Sequence, residues 1–338
     1  MTDIPIRNIY YMVLYAWDKV ENLSNKAEKE IEELESLNDV IIDLFLIEVS
    51  QIVRKGISKD YINVIDQSKF IKGKIDITES LRFTGANFVC HFDEYTDNIN
   101  LNQIIKTILI RIINFVEIKE EYKKKARTLL LYFANVEEIP LNNINLNNIL
   151  YNRLNKEYEY ILDLGMLIYN NSIPTERHGN YQFIDIMNDE EQMSSIFEGF
   201  LRTFYRIHSD YRVHRRYYNW DLEPINNSNK KLLPRMETDI ELTTQNRKII
   251  IDAKYYKNAF TSRYEGRKLI STNIYQMNAY LGQNLNKFES LRGMLLYPSN
   301  GYEIDEKFYS KNGYCMEFRT INLNTRWEYI KKRLLEII

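Results

Sequence analysis

The stretch that most limits what this chain can fold into runs from Met236 to Tyr256, METDIELTTQNRKIIIDAKYY. Polar, turn-like residues from Thr243 to Lys248 separate two apolar-bearing segments, so the two pair as a hairpin. Lys248-Ile249-Ile250-Ile251 is an apolar run of the kind that fills a sheet centre. Strand side chains alternate, so Asp252 and Lys254 share a side while Ala253 points the other way. The hairpin then sets Asp239 beside Asp252, with a lysine next to both. A D-x-K tripeptide is common, and Glu237, Asp239 and Glu241 alternate as on any half-solvated strand. The position is more telling, because an acid and a lysine ending an apolar run are costly to bury unless they bind something. Two carboxylates and a lysine at the mouth of a small sheet can hold Mg²⁺ and a water in line with a phosphodiester.

Other features bound the reading. A chain of 338 residues has room for two cores. The net charge of −2 gives no global attraction to nucleic acid, so any DNA-binding surface must be local. Cys90 and Cys315 suggest buried free thiols, neither a disulfide framework nor a zinc cluster, which suits a cytoplasmic protein. The N-terminus lacks the pattern of a signal peptide. Ile104 to Val116 is interrupted by Lys106 and Arg111, so no membrane span is expected.

Periodicity predicts a helix over Ile4–Trp17, a charged helix or loop over Glu21–Ser36, and a helix from an Asp39 N-cap to Arg54 with Gly56 as terminator. Short strands and turns follow, and then three helices over 102–118, 122–135 and 153–169. The polar segment 171–189, with Pro174 and Gly179, is the expected boundary. Beyond it come a helix over 190–207, strands near 211–219, 235–243 and 248–255, a helix over 267–283, strands near 292–297 and 315–323, and a closing helix over 325–337. This order suits a mixed α/β sheet with helices on both faces. It divides the chain into 1–175 and 185–338, with a fragment from about Tyr181 expected to fold alone.

Three further groups admit two readings each. Glu198, in IFEGF, either pairs weakly with Arg202 at i+4 or reaches toward a metal. Gln276 and Tyr280 share a helix face, as a half-buried polar edge or as a pair folded over the Asp239/Asp252 site. Arg202, Arg206, Arg212, Arg215 and Arg216 interleave with tyrosines, as a nucleic-acid face or as partners of the acidic strand opposite. No G-x-x-x-x-G-K-[ST] loop occurs, so the chain itself should not hydrolyse nucleotides.

Together these pieces resemble the PD-(D/E)xK nucleases, and more closely the McrC family of nuclease subunits from modification-dependent restriction systems. IPIRNIYYMVLYAWD, GKIDITESL and FDEYTDNINLNQIIKTIL resemble the family's opening and middle, while IFEGF, TDIEL, IIIDAKYY, YQMNAYL and MLLYP match its nuclease half in order. Gln276 and Tyr280 are also similar to the Q-x-x-x-Y helix of RecB-like nucleases. One departure is Thr238, where the superfamily name has proline. The resemblance implies an α+β N-terminal domain followed by an α/β nuclease domain. It implies that Asp239, Asp252 and the Ala253 carbonyl ligate Mg²⁺, that Lys254 steadies the attacking water, and that Glu198 supports the metal. By the same resemblance Gln276 and Tyr280 orient DNA, and residues 1–175 engage a McrB-like AAA+ GTPase ring. That ring binds the GTP and recognises double-stranded DNA with modified, 5-methylcytosine-type bases. A non-catalytic assembly factor and a RecB-like repair nuclease stand as alternatives.

Overall fold

The computed structural model describes residues 4–20, 31, 34–82, 88–142, 144–175, 179–226, 228–255, 260–262, 267–299 and 301–338. Most of the charged 21–36 stretch falls outside them. Two compact units emerge, one of Met1–Leu37 with Ile186–Ile338, the other of Asn38–Asp185. Helix α1 (Ile6–Ala16) therefore belongs with the C-terminal half, against the expected division at 175–185.

In the Asn38–Asp185 unit, helix α2 (Leu37–Lys55) begins two residues before Asp39, so Asp39 sits in its first turn instead of capping it. Gly56 ends the helix at φ +96°, a conformation that glycine adopts without strain. Strands β1 (Asp60–Ser68), β2 (Lys74–Asp76) and β3 (Phe88–Thr96) form an antiparallel sheet in the order β1-β3-β2. Helices α3 (Asn100–Ile113), α4 (Glu120–Leu130) and α5 (Glu157–Asn170) follow, close to the expected ranges. The hairpin β4 (Ser172–Pro174) and β5 (Tyr181–Phe183) is tied back by Arg111, whose guanidinium lies 4.6 Å from the ring centre of Tyr169 and 3.5 Å from that of Tyr181.

The other unit is built on helix α6 (Glu190–His208) and a six-stranded mixed sheet. Its strands are β6 (Arg212–His214), β9 (Ile240–Thr243), β10 (Arg247–Ala253), β13 (Ser290–Pro298), β14 (Asp305–Tyr309) and β15 (Cys315–Ile321), in the order β14-β15-β13-β10-β9-β6. Two short ladders accompany it: β7 (Tyr217–Tyr218) with β8 (Met236–Glu237), and β11 (Phe260–Ser262) with β12 (Arg267–Leu269). Strand β12 occupies residues expected to begin helix α7, which starts at Ser271 and runs to Gly282. Strand β14 was not anticipated, because all five of its residues are exposed and show no apolar alternation.

Helices flank the sheet. Met277, Tyr280 and Leu281 of α7 bury against Ile250, Leu295 and Phe318. A side chain at Gly293 would meet Met277 Sδ at 2.6 Å, so only glycine permits this approach. Helix α6 packs on β9 and β10, and α1 packs along α6, where a side chain at Gly199 would press on the Ala16 backbone at 3.2 Å. Tyr15 joins Phe200, Phe204 and Trp327 in one aromatic cluster, Trp327 opening helix α8 (Trp327–Glu336). Asn8 Nδ2 donates to the carbonyls of Leu323 at 2.8 Å and Thr325 at 2.7 Å. These contacts explain why a fragment from Tyr181 would lack part of its own core. Among the described residues, no helix is long and apolar enough to cross a membrane. Both cysteines are free, Cys90 buried and Cys315 only partly so.

Candidate active site

Strands β9 and β10 pair antiparallel up to Ile240 opposite Ile251, so Asp239 and Asp252 are the next residues along the two chains. On its other edge β10 runs parallel to β13, with Asp252 opposite Leu295. Asp252 thus stands on a strand paired on both sides and is fully buried.

The strand carrying Asp239 is irregular where it matters. Arg212, Val213 and His214 pair with Thr243, Leu242 and Glu241, whereas Tyr217 and Tyr218 pair with Glu237 and Met236. Arg215 and Arg216 therefore face three residues, Thr238, Asp239 and Ile240, which makes a β-bulge on the aspartate's strand. The Asp239 carboxylate turns across the end of β10 and accepts the Ala253 N–H at 2.9 Å. Thr238 pins the bulge: its N–H donates to the Arg216 carbonyl at 3.0 Å, and its hydroxyl accepts from the Arg216 N–H at 3.2 Å. Proline could not make the first of these bonds, which accounts for the departure at this position.

Asp252 Oδ2 lies 3.0 Å from Lys254 Nζ, yet neither Asp252 oxygen is met with hydrogen-bond geometry. Burial, and after it the Asp239 charge, push Asp252 up to about 7. Burial also raises Asp239, opposed by Lys254 and by the Ala253 N–H. Half-buried Glu198 is raised by burial and then by Asp239, and is held down by Arg215, Lys254 and Arg202. It is thus close enough to feel the aspartates, and it forms no ion pair with Arg202 among the described residues. Ser194 Oγ is its neighbour at 3.5 Å.

Gln276 Nε2 donates to Tyr280 Oη at 2.7 Å, and the Tyr280 hydroxyl donates to the Glu237 carbonyl, two residues from Asp239. Tyr280 is buried, so its contact with the site runs through the β8 backbone. Arg215 pairs with Glu237 at 2.6 Å and Arg216 lies 3.5 Å from Glu241, while Arg212 is exposed on β6. Both readings of the arginine segment therefore have a footing: two side chains meet acidic partners and all three keep exposed surface.

Sequence reasoning missed one neighbouring network. Lys248 Nζ, nearly fully buried, sits 2.8 Å from Glu241 and 2.9 Å from both Tyr218 Oη and Asn284 Oδ1. Lys248, Ile250 and Asp252 share one face, so alternation alone would have marked Lys248 as inward-facing.

Among the described residues, no group of three His, Cys, Asp or Glu side chains converges into a ready-made metal cluster. Mg²⁺ does not need one, since it commonly takes one or two carboxylates and keeps several waters. The unsatisfied oxygens of Asp252 beside a second buried carboxylate fit such a cation, with Asp239, Asp252 and the Ala253 carbonyl as donors.

Comparison with known proteins identifies the family of the chain. A family model described as "McrBC 5-methylcytosine restriction system component" matches residues 6–298. The "Type IV methyl-directed restriction enzyme EcoKMcrBC" of Escherichia coli (strain K12) is 31% identical over 339 residues, covering 99% of this chain and 97% of that protein. A solved structure, a refined half-complex from a tetradecameric assembly of Thermococcus gammatolerans McrB AAA+ hexamers with bound McrC, aligns with TM-score 0.52 at 16% identity. The alignment covers 98% of this chain and 77% of the solved one.

Proposed function

The chain belongs to the McrBC 5-methylcytosine restriction system component family, and from that premise we propose that it is the DNA-cutting subunit of a modification-dependent restriction complex. The observation that carries the proposal is Asp252: a fully buried carboxylate with unsatisfied oxygens, beside Asp239 and with one lysine in reach. A fold does not retain so costly a group at a strand end without a use for it. The intact trio of Asp239, Asp252 and Lys254 also weighs against a purely non-catalytic role.

When bound, Mg²⁺ lowers the pKa of a coordinated water and neutralises charge on the phosphate. Asp239 and Asp252 would hold the ion, and the Ala253 N–H fixes the Asp239 carboxylate across the end of β10. Lys254, partly open to solvent, offers an ammonium beside the attacking water and the phosphate oxygens. Glu198 supports the same centre from α6, and the Gln276–Tyr280 pair steadies β8 and orients the strand. Arg212, Arg215 and Arg216 supply phosphate contacts along the adjoining edge.

The partner is an AAA+ GTPase ring of the McrB type, which binds GTP and selects modified duplex DNA. The Asn38–Asp185 unit engages it, a role supported by the exposed apolar residues Tyr61, Ile65 and Tyr95 on its three-stranded sheet. The test is the full-length Asp252→Ala protein mixed with its cognate ring and methylated duplex. It should stimulate GTP turnover without cutting DNA. Cleavage at the wild-type rate would remove Asp252 from the active site and end the proposal.

A further inference from the structure

Between β7 and β8 the chain makes a seventeen-residue excursion, 219–235, whose regular structure among the described residues is a single helical turn at Lys230–Leu232. Loops of this length inside a compact domain are uncommon and usually have a task. This one is closed at its base, since β7 pairs with β8 and Trp220 Nε1 donates to the Pro234 carbonyl at 2.8 Å. Trp220 and Tyr218 also pack against the α7 face of the sheet, so the stem is anchored.

The tip is unusual in what it exposes. Ile225 is 76% and Leu232 80% accessible, and Lys230, Lys231 and Arg235 are exposed beside them. Apolar side chains presented to water at a loop tip gain nothing in the free protein. Asp221 and Glu223 lie at the loop's beginning, and Glu223 is 3.3 Å from Lys230.

Position identifies the occupant. Asp239 accepts the Ala253 N–H at 2.9 Å at the end of β10, and Glu237 and Met236 of β8 lie two and three residues before Asp239. The loop is therefore rooted at the catalytic end of β10. At about 3.3 Å per residue, Met236 is within roughly 10 Å of Asp239, about half the width of a duplex. A duplex whose phosphate lies at Asp239 and Asp252 must pass beside this root. We infer that the 219–235 loop is a second DNA-contacting element, with Lys230 and Lys231 on backbone phosphates and Ile225 and Leu232 pressed into the groove next to the cut. Leucine or isoleucine flanked by basic residues is the chemistry by which proteins wedge a groove open. The inference rests on the nuclease reading above.

The experiment uses full-length protein with a methylated duplex, in Ca²⁺ for binding and in Mg²⁺ with the cognate ring for cleavage. Two double variants are compared with wild type, Ile225→Ser with Leu232→Ser and Lys230→Gln with Lys231→Gln. The apolar pair should weaken binding about tenfold at unchanged salt dependence, as expected for the loss of groove contacts. The lysine pair should flatten the slope of log affinity against log salt by about 1.8, the share of two phosphate contacts. Both should slow cleavage, with melting temperature and stimulated GTP turnover unchanged. If wild type cuts and both variants bind and cut as it does, the loop inference alone is overturned. Loss of ring binding with DNA affinity intact would overturn it too, marking the loop as a protein-docking surface. A wild-type protein that neither binds nor cuts duplex overturns the nuclease reading, and this inference with it.

Discussion

Replacing Asp252 by Asn should make the metal-free protein more stable at neutral pH while destroying its activity. The Asp252 carboxyl titrates at about 7 in the folded chain, against about 3.9 when unfolded. A raised carboxyl favours the fold while it is neutral, fully so below pH 4, and that advantage drains away as the pH climbs through 7. Ionisation across about three pH units at 1.36 kcal/mol each costs the wild type about 4 kcal/mol by pH 8. Asparagine keeps the shape and cannot ionise. The stability gap between variant and wild type should therefore widen by about 1.4 kcal/mol per pH unit between pH 4 and 7. For a unit of this size that is a difference in Tm of roughly 10 °C at pH 8. Thermal melts in EDTA from pH 4 to 8 measure it directly. Millimolar Mg²⁺ should close the gap by stabilising only the wild type, since a ligand that binds the folded form raises its stability. A gap that stays constant across the pH range would refute the reasoning, because a change in packing or hydrogen bonding alone carries no pH dependence.

Three further outcomes follow from the geometry. Lys248→Ala, which strands Glu241 without its nearest cation, should cost about 3–5 kcal/mol in urea titrations; a cost under 1 kcal/mol would show that the pair is not shielded from water. Tyr280→Phe leaves the Glu237 carbonyl without its donor and should cost about 1 kcal/mol while slowing cleavage about tenfold at unchanged KM, an effect of misplacing Asp239. A fragment of residues 186–338 should melt without cooperativity, and fusing residues 1–37 ahead of it through a flexible linker should restore a sharp transition; a sharp melt from the bare fragment would count against the assigned role of α1.

The juxtaposition of Asp239, Asp252 and Lys254 was legible because its signal is local: a turn-length gap between two apolar strands brings the end of one beside the end of the other. Helices α3 to α6 were legible for the same reason, their apolar periodicity being internal to each segment. What could not be read was where surfaces meet. The apolar face of α1 states that it will be covered without saying by what, and its partner lies some 180 residues away on α6. Edge strand β14 has no buried face and so no alternation. The bulge at Thr238–Asp239–Ile240 arises from a mismatch of one residue between two ladders, which neither strand reveals alone. In sequence Lys248 looks like the start of an apolar run, whereas in the fold it is the charged centre of a buried polar network.

The partition of the chain into Met1–Leu37 with Ile186–Ile338 around Asn38–Asp185 sets an order on synthesis. Helix α1 leaves the ribosome long before its docking surface on α6, and Trp327 of its aromatic cluster arrives later still. The intervening 148 residues, 38 through 185, take roughly 7–30 s to translate and can close their own core meanwhile. A ribosome that stalls or releases early would therefore leave a finished inserted unit joined to an unfinished partner unit. Such an order completes the Asp239–Asp252 centre only after the inserted unit.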